Sequence, residues 1–253
     1  MQIKDNVFVI TGAGRGLGRT MAEYIAKRGG QVALIDLDQA QLDEVAAACT
    51  ELGGKSVGYA CNVTDEDQVE STFAAIRAEF GKIHGLVNNA GILRDGMLIK
   101  VKEGKLVDKM SMDQWQSVIN VNMTGTFLCG REAAAMMAEQ GEGGLIVNIS
   151  SLSRAGNMGQ TNYSATKSGV ATMVVSWAGE LGRHQIRVAG IAPGVINTEM
   201  TASMKPEAIE RIAKSIPLRR FGEAEEIADT LGYIIGNDYF TGRIIEMDGG
   251  LRW

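Results

Sequence analysis

The stretch "VFVITGAGRGLGRTMAEYIA", residues 7–26, runs from an apolar strand-like segment through four glycines into an amphipathic segment. Gly12, Gly14, Gly16 and Gly18 stand where a strand would turn into a helix. Glycine lets the backbone turn tightly and lets a pyrophosphate come close, while the helix N-terminus presents unpaired N–H groups and the positive end of a dipole. A glycine-rich turn alone is weak evidence for a nucleotide site. Asp36, at the end of the next apolar run "VALID" (32–36), strengthens it. A carboxylate about 20 residues beyond such a loop can accept the hydroxyls of an adenosine ribose and repels a 2′-phosphate, which favours NAD over NADP. Arg15, inside the loop, is a cation able to face a 2′-phosphate and keeps NADP open; as a helix cap or surface acid, Asp36 would carry no preference.

Outward from this stretch, apolar runs alternate with longer amphipathic segments. The runs are 7–11, 32–36, "SVGYA" (56–60), "GLVNNA" (85–90), "LIVNIS" (145–150), "IRVAGIA" (186–192) and "RIIEMDG" (243–249). Helices are predicted over 16–28, 38–52, 65–80, 113–140, 160–183 and 223–236. Asp38 is placed to cap the second, and Thr64 followed by Asp67 reads as a capping box for the third. Strands rich in Val, Ile and Leu separated by helices predict a parallel sheet covered on both faces, a doubly wound α/β fold. With no proline-rich linker, repeat or low-complexity block, residues 1–253 read as a single domain. "LIKVKEGKLVD" (98–108) breaks the alternation: it suits either a hairpin with a glycine turn or a solvated loop.

Composition narrows the function. The chain has 253 residues, 45% of them apolar, and a formal net charge of −5. That balance suits a soluble globular protein and gives no basic face for nucleic acid. No apolar run reaches bilayer length. The N-terminus is a poor signal peptide, which predicts a cytoplasmic protein. Cys49, Cys61 and Cys129 have neither CxxC nor metal-ligand spacing and are expected to be free, buried thiols. His84 and His184 flank secondary structure without a triad pattern, and no cluster suits a metal. Met136 and Met137 read as packing groups.

"GQTNYSATKSG" (159–169) places Tyr163 and Lys167 one turn apart on one helical face. A free tyrosine, with a pKa near 10, is a poor base at neutral pH. A neighbouring ammonium, together with the positive nicotinamide of an oxidised dinucleotide, would stabilise the phenolate.

Taken together, "TGAGRGLG" (11–18), "NNAG" (88–91), "NVNMTG" (120–125), "ISS" (149–151), "YSATK" (163–167) and "PGVINT" (193–198) resemble the short-chain dehydrogenase/reductase family, in that family's order. The resemblance covers nearly the whole chain and implies a Rossmann-type sheet and a catalytic set of Asn122, Ser151, Tyr163 and Lys167. Asn122 is preferred to Asn120 because it lies three before Gly125. For the serine, strand register points to Ser151, whereas the spacing to the tyrosine common in the family would select Ser150. The resemblance further implies cofactor contacts from Gly12, Arg15, Gly16, Leu17, Gly18 and Asp36. Asn62 and Val63 would meet the adenine, and Asn89, Ala90 and Gly91 would run along the cofactor. Tyr163 and Lys167 would approach the nicotinamide ribose; Pro193, Gly194, Ile196 and Thr198 would lie near the nicotinamide. The family usually has Asp at the place of Asn62; an amide can still donate and accept.

"RDGMLI", "MSMDQW", "VNMTGTF" and "GQTNYSATKSG" are most similar to 3-oxoacyl-thioester reductases, which implies an acyl-thioester substrate on acyl carrier protein or coenzyme A. Two features pull away from this: Asp36 against the NADPH such enzymes generally use, and Glu132, Glu139 and Glu142 against a single Arg131, where an acidic carrier would seek a basic surface. An NAD-dependent alcohol, polyol or hydroxysteroid dehydrogenase is the alternative, and a non-catalytic nucleotide-binding regulator a third. Residues 199–217 are expected to form a substrate lid, with Met200, Met204 and Ile212 as its apolar wall. The resemblance also implies a homotetramer or dimer, with Ala171, Val174, Val175 and Ala178 available on the long helix and the "GGLRW" tail at an interface.

Overall fold

A computed structural model describes residues 1–198, 201 and 205–252. Among them, β1 (Val7–Thr11), β2 (Gln31–Asp36), β3 (Ser56–Ala60), β4 (Gly85–Asn88), β7 (Gly144–Ile149), β8 (Ile186–Pro193) and β9 (Arg243–Met247) form one sheet. Its order is β3-β2-β1-β4-β7-β8-β9, with every pairing parallel. A separate antiparallel hairpin joins β5 (Ile99–Lys102) to β6 (Lys105–Lys109).

Parallel strands need crossovers, here made by helices. α1 (Gly16–Ala26), α2 (Gln39–Glu51), α3 (Glu66–Phe80), α4 (Met112–Ile119), α5 (Gly125–Gln140), α6 (Thr161–Leu181), α7 (Pro206–Ser215) and α8 (Ala224–Gly236) follow in order. The fully buried β1 packs one core layer through Phe8 and Ile10 and the opposite one through Val7 and Val9. The first layer seats α1, α2 and α8; the second seats α3 and α5. This two-faced burial is why the strands read as continuous apolar runs. Cys49, Cys61 and Cys129 are buried free thiols in these layers, and Met136 and Met137 are buried beside them.

The expected elements form, with several corrections. The helix predicted over 113–140 is divided by a π-helical turn, Asn120–Thr124, between α4 and α5. α3 is capped by Asp65, whose carboxylate accepts from the Gln68 backbone N–H at 3.0 Å. Thr64 instead donates its own N–H and hydroxyl to Asn62 Oδ1, and the N-cap position falls one residue later, at Asp65. Residues 98–108 form the hairpin and not a loop, because Glu103 and Gly104 both take positive φ, the pattern of a tight two-residue turn. Val174 is fully buried in the sheet-facing layer and does not join an open face with the exposed Val175. Of the expected lid, Met200 and Met204 lie outside the described residues. Ile212, on α7, packs with Ile209 against a small cluster of Leu152, Ile216, Phe221 and Leu251. Leu251 is the part of the C-terminal tail so buried, and Trp253 also lies outside the described residues.

Candidate active site

The loop between β1 and α1 is built for close approach. Gly12 has a φ of +65°, and a Cβ there would lie 2.8 Å from the Ala90 Cα. A Cβ on Gly18 would fall 2.0 Å from the Gly12 carbonyl oxygen, so the helix can start this near the loop only with glycine. Gly16, by contrast, has nothing among the described residues within 4 Å of where its Cβ would be. Arg15 sits at the helix N-cap, extended and exposed, with no side-chain capping bond, so the first N–H groups of α1, at Gly16, Leu17 and Gly18, are left uncapped. This cradle of unpaired donors fits a pyrophosphate.

Asp36 closes the cradle on the β2 side. Its Oδ2 accepts from the Gly14 N–H at 2.9 Å and its Oδ1 from the Leu37 N–H at 2.7 Å. The half-buried carboxylate therefore points back at the glycine loop, and it is not a helix cap; Asp38 caps α2. Asn62 uses its Oδ1 on Thr64, and its amide nitrogen has no partner among the described residues and can donate. Val63 is buried and packs against Gly125.

Thr11 and Asn89 join two strand ends. The Thr11 hydroxyl accepts from the backbone N–H groups of Asn89 at 3.0 Å and Ala90 at 3.1 Å. The Asn89 amide donates to the carbonyls of Thr11 and Gly12 at 3.1 and 3.0 Å. Thr11 was given no role from sequence, although it opens the glycine motif; its contacts depend on β1 and β4 being sheet neighbours.

Asn122 lies in the π turn, fully buried. It accepts from the Ile92 N–H at 2.8 Å and donates to the Ile92 carbonyl at 3.1 Å. A π turn inserts a residue into the helical ladder and re-aims side chains, a device common at functional sites. Asn120 instead accepts from the exposed Gln116, one turn earlier on α4. Gly91 lies between Asn122 and Lys167: a Cβ there would stand 3.4 Å from Asn122 Oδ1 and 3.6 Å from Lys167 Nζ.

The strand end after β7 separates the two serines. The Ser150 hydroxyl is buried and donates to the Lys167 carbonyl at 2.8 Å. The Ser151 hydroxyl stands by the half-buried Tyr163 phenol, whose proton it loosens, and accepts from the Ser153 N–H at 3.1 Å. Lys167 is buried; its Nζ donates to the Ile149 carbonyl at 2.8 Å and lies 5.6 Å from the Tyr163 ring centroid. Burial lowers the Lys167 pKa to about 8.

The Tyr163 phenol is set here by its protein neighbours, apart from any nicotinamide charge. Burial raises its pKa above the ordinary value; Ser151 opposes this, and the charge of Asp95 adds to it. In the chain alone the low-dielectric setting outweighs any help from Lys167, whose own proton is loosened by the same burial. Asp95 was not singled out from sequence, nor was Gln160. The Gln160 amide donates to Asp95 at 2.9 Å and its oxygen accepts from Ser153 and Asn157, both at 2.9 Å. Asn162 ties the same segment down by donating to the carbonyls of Arg94 and Gln114.

On the far side, Pro193 ends β8 in register with Met247, and Gly194 packs against Asp248. Ile196 is buried and bridges Gly222, while the Thr198 N–H donates to Thr201 Oγ1 at 2.9 Å. The two histidines stand apart from this cluster: His84 Nδ1 accepts from the Val7 N–H at 3.0 Å, and the exposed His184 neighbours Arg183. Among the described residues no group of acids, histidines and cysteines could hold a metal, and no helix is long and apolar enough to cross a membrane.

Known proteins resemble this chain over nearly its full length. The model of a family described as Enoyl-(Acyl carrier protein) reductase matches residues 12–252. The chain is 39% identical to the 3-oxoacyl-[acyl-carrier-protein] reductase of Thermotoga maritima, over 99% of both chains. A short-chain type dehydrogenase/reductase from Mycobacterium marinum superposes with a TM-score of 0.89 at 32% identity, over 98% of this chain and 96% of that one. A 7α-hydroxysteroid dehydrogenase complexed with NADH and 7-oxo glycochenodeoxycholic acid superposes with a TM-score of 0.91 at 27% identity, over 99% and 96%. With the glycine cradle, the Tyr163/Lys167 pair and these full-length likenesses, the chain belongs to the short-chain dehydrogenase/reductase family, oxidoreductases that use a nicotinamide cofactor.

Proposed function

We propose that this enzyme reduces 3-oxoacyl thioesters to 3-hydroxyacyl thioesters with NADH, and that Asn122, Ser151, Tyr163 and Lys167 carry the reaction. The observation that bears most weight is the convergence of Ser151 and Lys167 on Tyr163, in a chain alike over its full length to a 3-oxoacyl-[acyl-carrier-protein] reductase. A bound nicotinamide supplies the hydride to the carbonyl carbon. Ser151 orients the carbonyl oxygen, and Tyr163 gives that oxygen its proton. Lys167, with a single acceptor among the described residues at Ile149, has further N–H groups for a ribose hydroxyl. Asn122 holds the Ile92 backbone beside Lys167. The phenol is protonated at neutral pH and so carries the proton that the reductive direction needs, while a bound cofactor and the Lys167 ammonium would favour its release.

Asp36 supports NAD(H) over NADP(H), because its carboxylate is fixed at the loop while Arg15 is exposed and paired with nothing among the described residues. The assembly we infer is a homotetramer or dimer, with the exposed Phe127 and Val175 of the long α5 and α6 available for contact, and the compartment the cytoplasm. The likeness to a hydroxysteroid dehydrogenase keeps a secondary alcohol as the second reading.

Initial rates with acetoacetyl-coenzyme A under NADH and NADPH test the proposal, with Tyr163→Phe as control. NADH-dependent turnover that Tyr163→Phe abolishes is expected. Nucleotide binding without turnover of the thioester would overturn the substrate assignment in favour of alcohols and sterols.

A further inference from the structure

Residues 97–109 are thirteen consecutive exposed positions in an otherwise well-packed domain. The hairpin they form carries Lys100, Lys102, Lys105 and Lys109 against Glu103 and Asp108 only, so it is net positive in a chain of net charge −5. Cross-strand register pairs Lys100 with Asp108 and Lys102 with Lys105, which puts three of these lysines on one face. None of the four makes an ion pair among the described residues. Arg131, the lone cation of 131–144, is bound to Glu66, Glu70 and Glu132, and is thereby already neutralised.

The root of the hairpin is fastened beside the site. The Gly96 N–H donates to the Gly159 carbonyl at 2.8 Å, Asp95 accepts from Gln160, and the Arg94 carbonyl accepts from Asn162, one residue before Tyr163. We propose that the lysine face of the hairpin is the docking surface for the acidic carrier protein that presents the thioester. Unpaired cations on a rim-like surface raise the rate of encounter with an acidic partner more than they tighten the final complex. The proposal rests on the thioester-reductase reading above.

The test is the triple variant Lys100→Glu, Lys102→Glu and Lys105→Glu in the full chain. Its acetoacetyl substrates are the thioesters of acyl carrier protein, of coenzyme A and of uncharged N-acetylcysteamine. The expected result is a KM for the carrier-bound substrate raised roughly tenfold or more, with the N-acetylcysteamine ester unchanged and the wild-type carrier KM rising with salt. Binding of the carrier itself, followed by fluorescence anisotropy, should weaken in parallel. An unchanged carrier KM with thioester turnover intact would overturn the docking site. Equal losses with the coenzyme A ester would overturn it too, assigning the lysines to the nucleotide phosphates. A change of oligomeric state in the variant would likewise overturn it, making the hairpin a subunit contact. Wild-type carrier binding without turnover of any thioester would bring down the functional reading while leaving the surface standing.

Discussion

The Lys167 ammonium lies 5.6 Å from the Tyr163 ring centroid while its only acceptor among the described residues, the Ile149 carbonyl, is 2.8 Å away. A buried cation with so few partners costs stability unless a ligand joins it.

The cost is measurable through pH. Lys167 has a pKa of about 8 when folded, against 10.5 ordinarily. Between these values the unfolded chain binds more protons, so stability rises with pH across that window. Below pH 8 the buried ammonium exerts its full penalty. Lys167→Met should therefore stabilise the ligand-free protein at pH 7 by about 3 kcal/mol, an advantage that shrinks toward pH 10.5. Urea unfolding at stepped pH values would check it; a difference independent of pH would contradict the assignment.

His84 works in the acid range. Burial lowers its pKa below 6.5, and its Nδ1 accepts from Val7. The stability it lends is present above pH 6.5 and lost as the pH falls through its lower folded value. The wild-type Tm should drop between pH 7 and 5 more steeply than that of His84→Phe, which has nothing to titrate at this position. Calorimetric scans of the two proteins would show parallel curves if the histidine were irrelevant.

Asp36→Ala removes both the carboxylate and the bond to the Gly14 N–H. Catalytic efficiency with NADH should fall roughly tenfold or more, by loss of a charged hydrogen-bond acceptor, while that with NADPH rises. Steady-state kinetics with each cofactor decide this, and a variant that kept its NADH preference would remove Asp36 from cofactor selection.

At Gly18, alanine would place its Cβ 2.0 Å from the Gly12 carbonyl. Backbone cannot yield as a side-chain tip can, so Gly18→Ala should cost about 3 kcal/mol or more and abolish nucleotide binding. Denaturant midpoints and cofactor fluorescence would register both losses.

Tyr163→Phe should leave folding and nucleotide affinity close to wild type and lower kcat by about 10²–10⁴. Isothermal titration alongside turnover separates the two effects.

Much of this was readable from residue order alone. Strands buried on both faces leave unbroken apolar runs, and the glycines of 12–18 mark a place where backbone must pass close to backbone. The doubly wound sheet and the positions of Tyr163 and Lys167 followed from periodicity and spacing, which are local properties of the chain. What required the tertiary structure was whatever depends on neighbours distant in sequence. The two serines differ by one position, but strand β7 sends Ser150 to the Lys167 carbonyl and Ser151 to the phenol. The π turn that buries Asn122 has no periodic signature, and the clamp of Thr11 on Asn89 exists only because β1 and β4 are adjacent. The direction of the Tyr163 shift was decided in the same way: spacing shows that a lysine is near, whereas burial, a property of the assembled fold, determines how far either group can hold its charge.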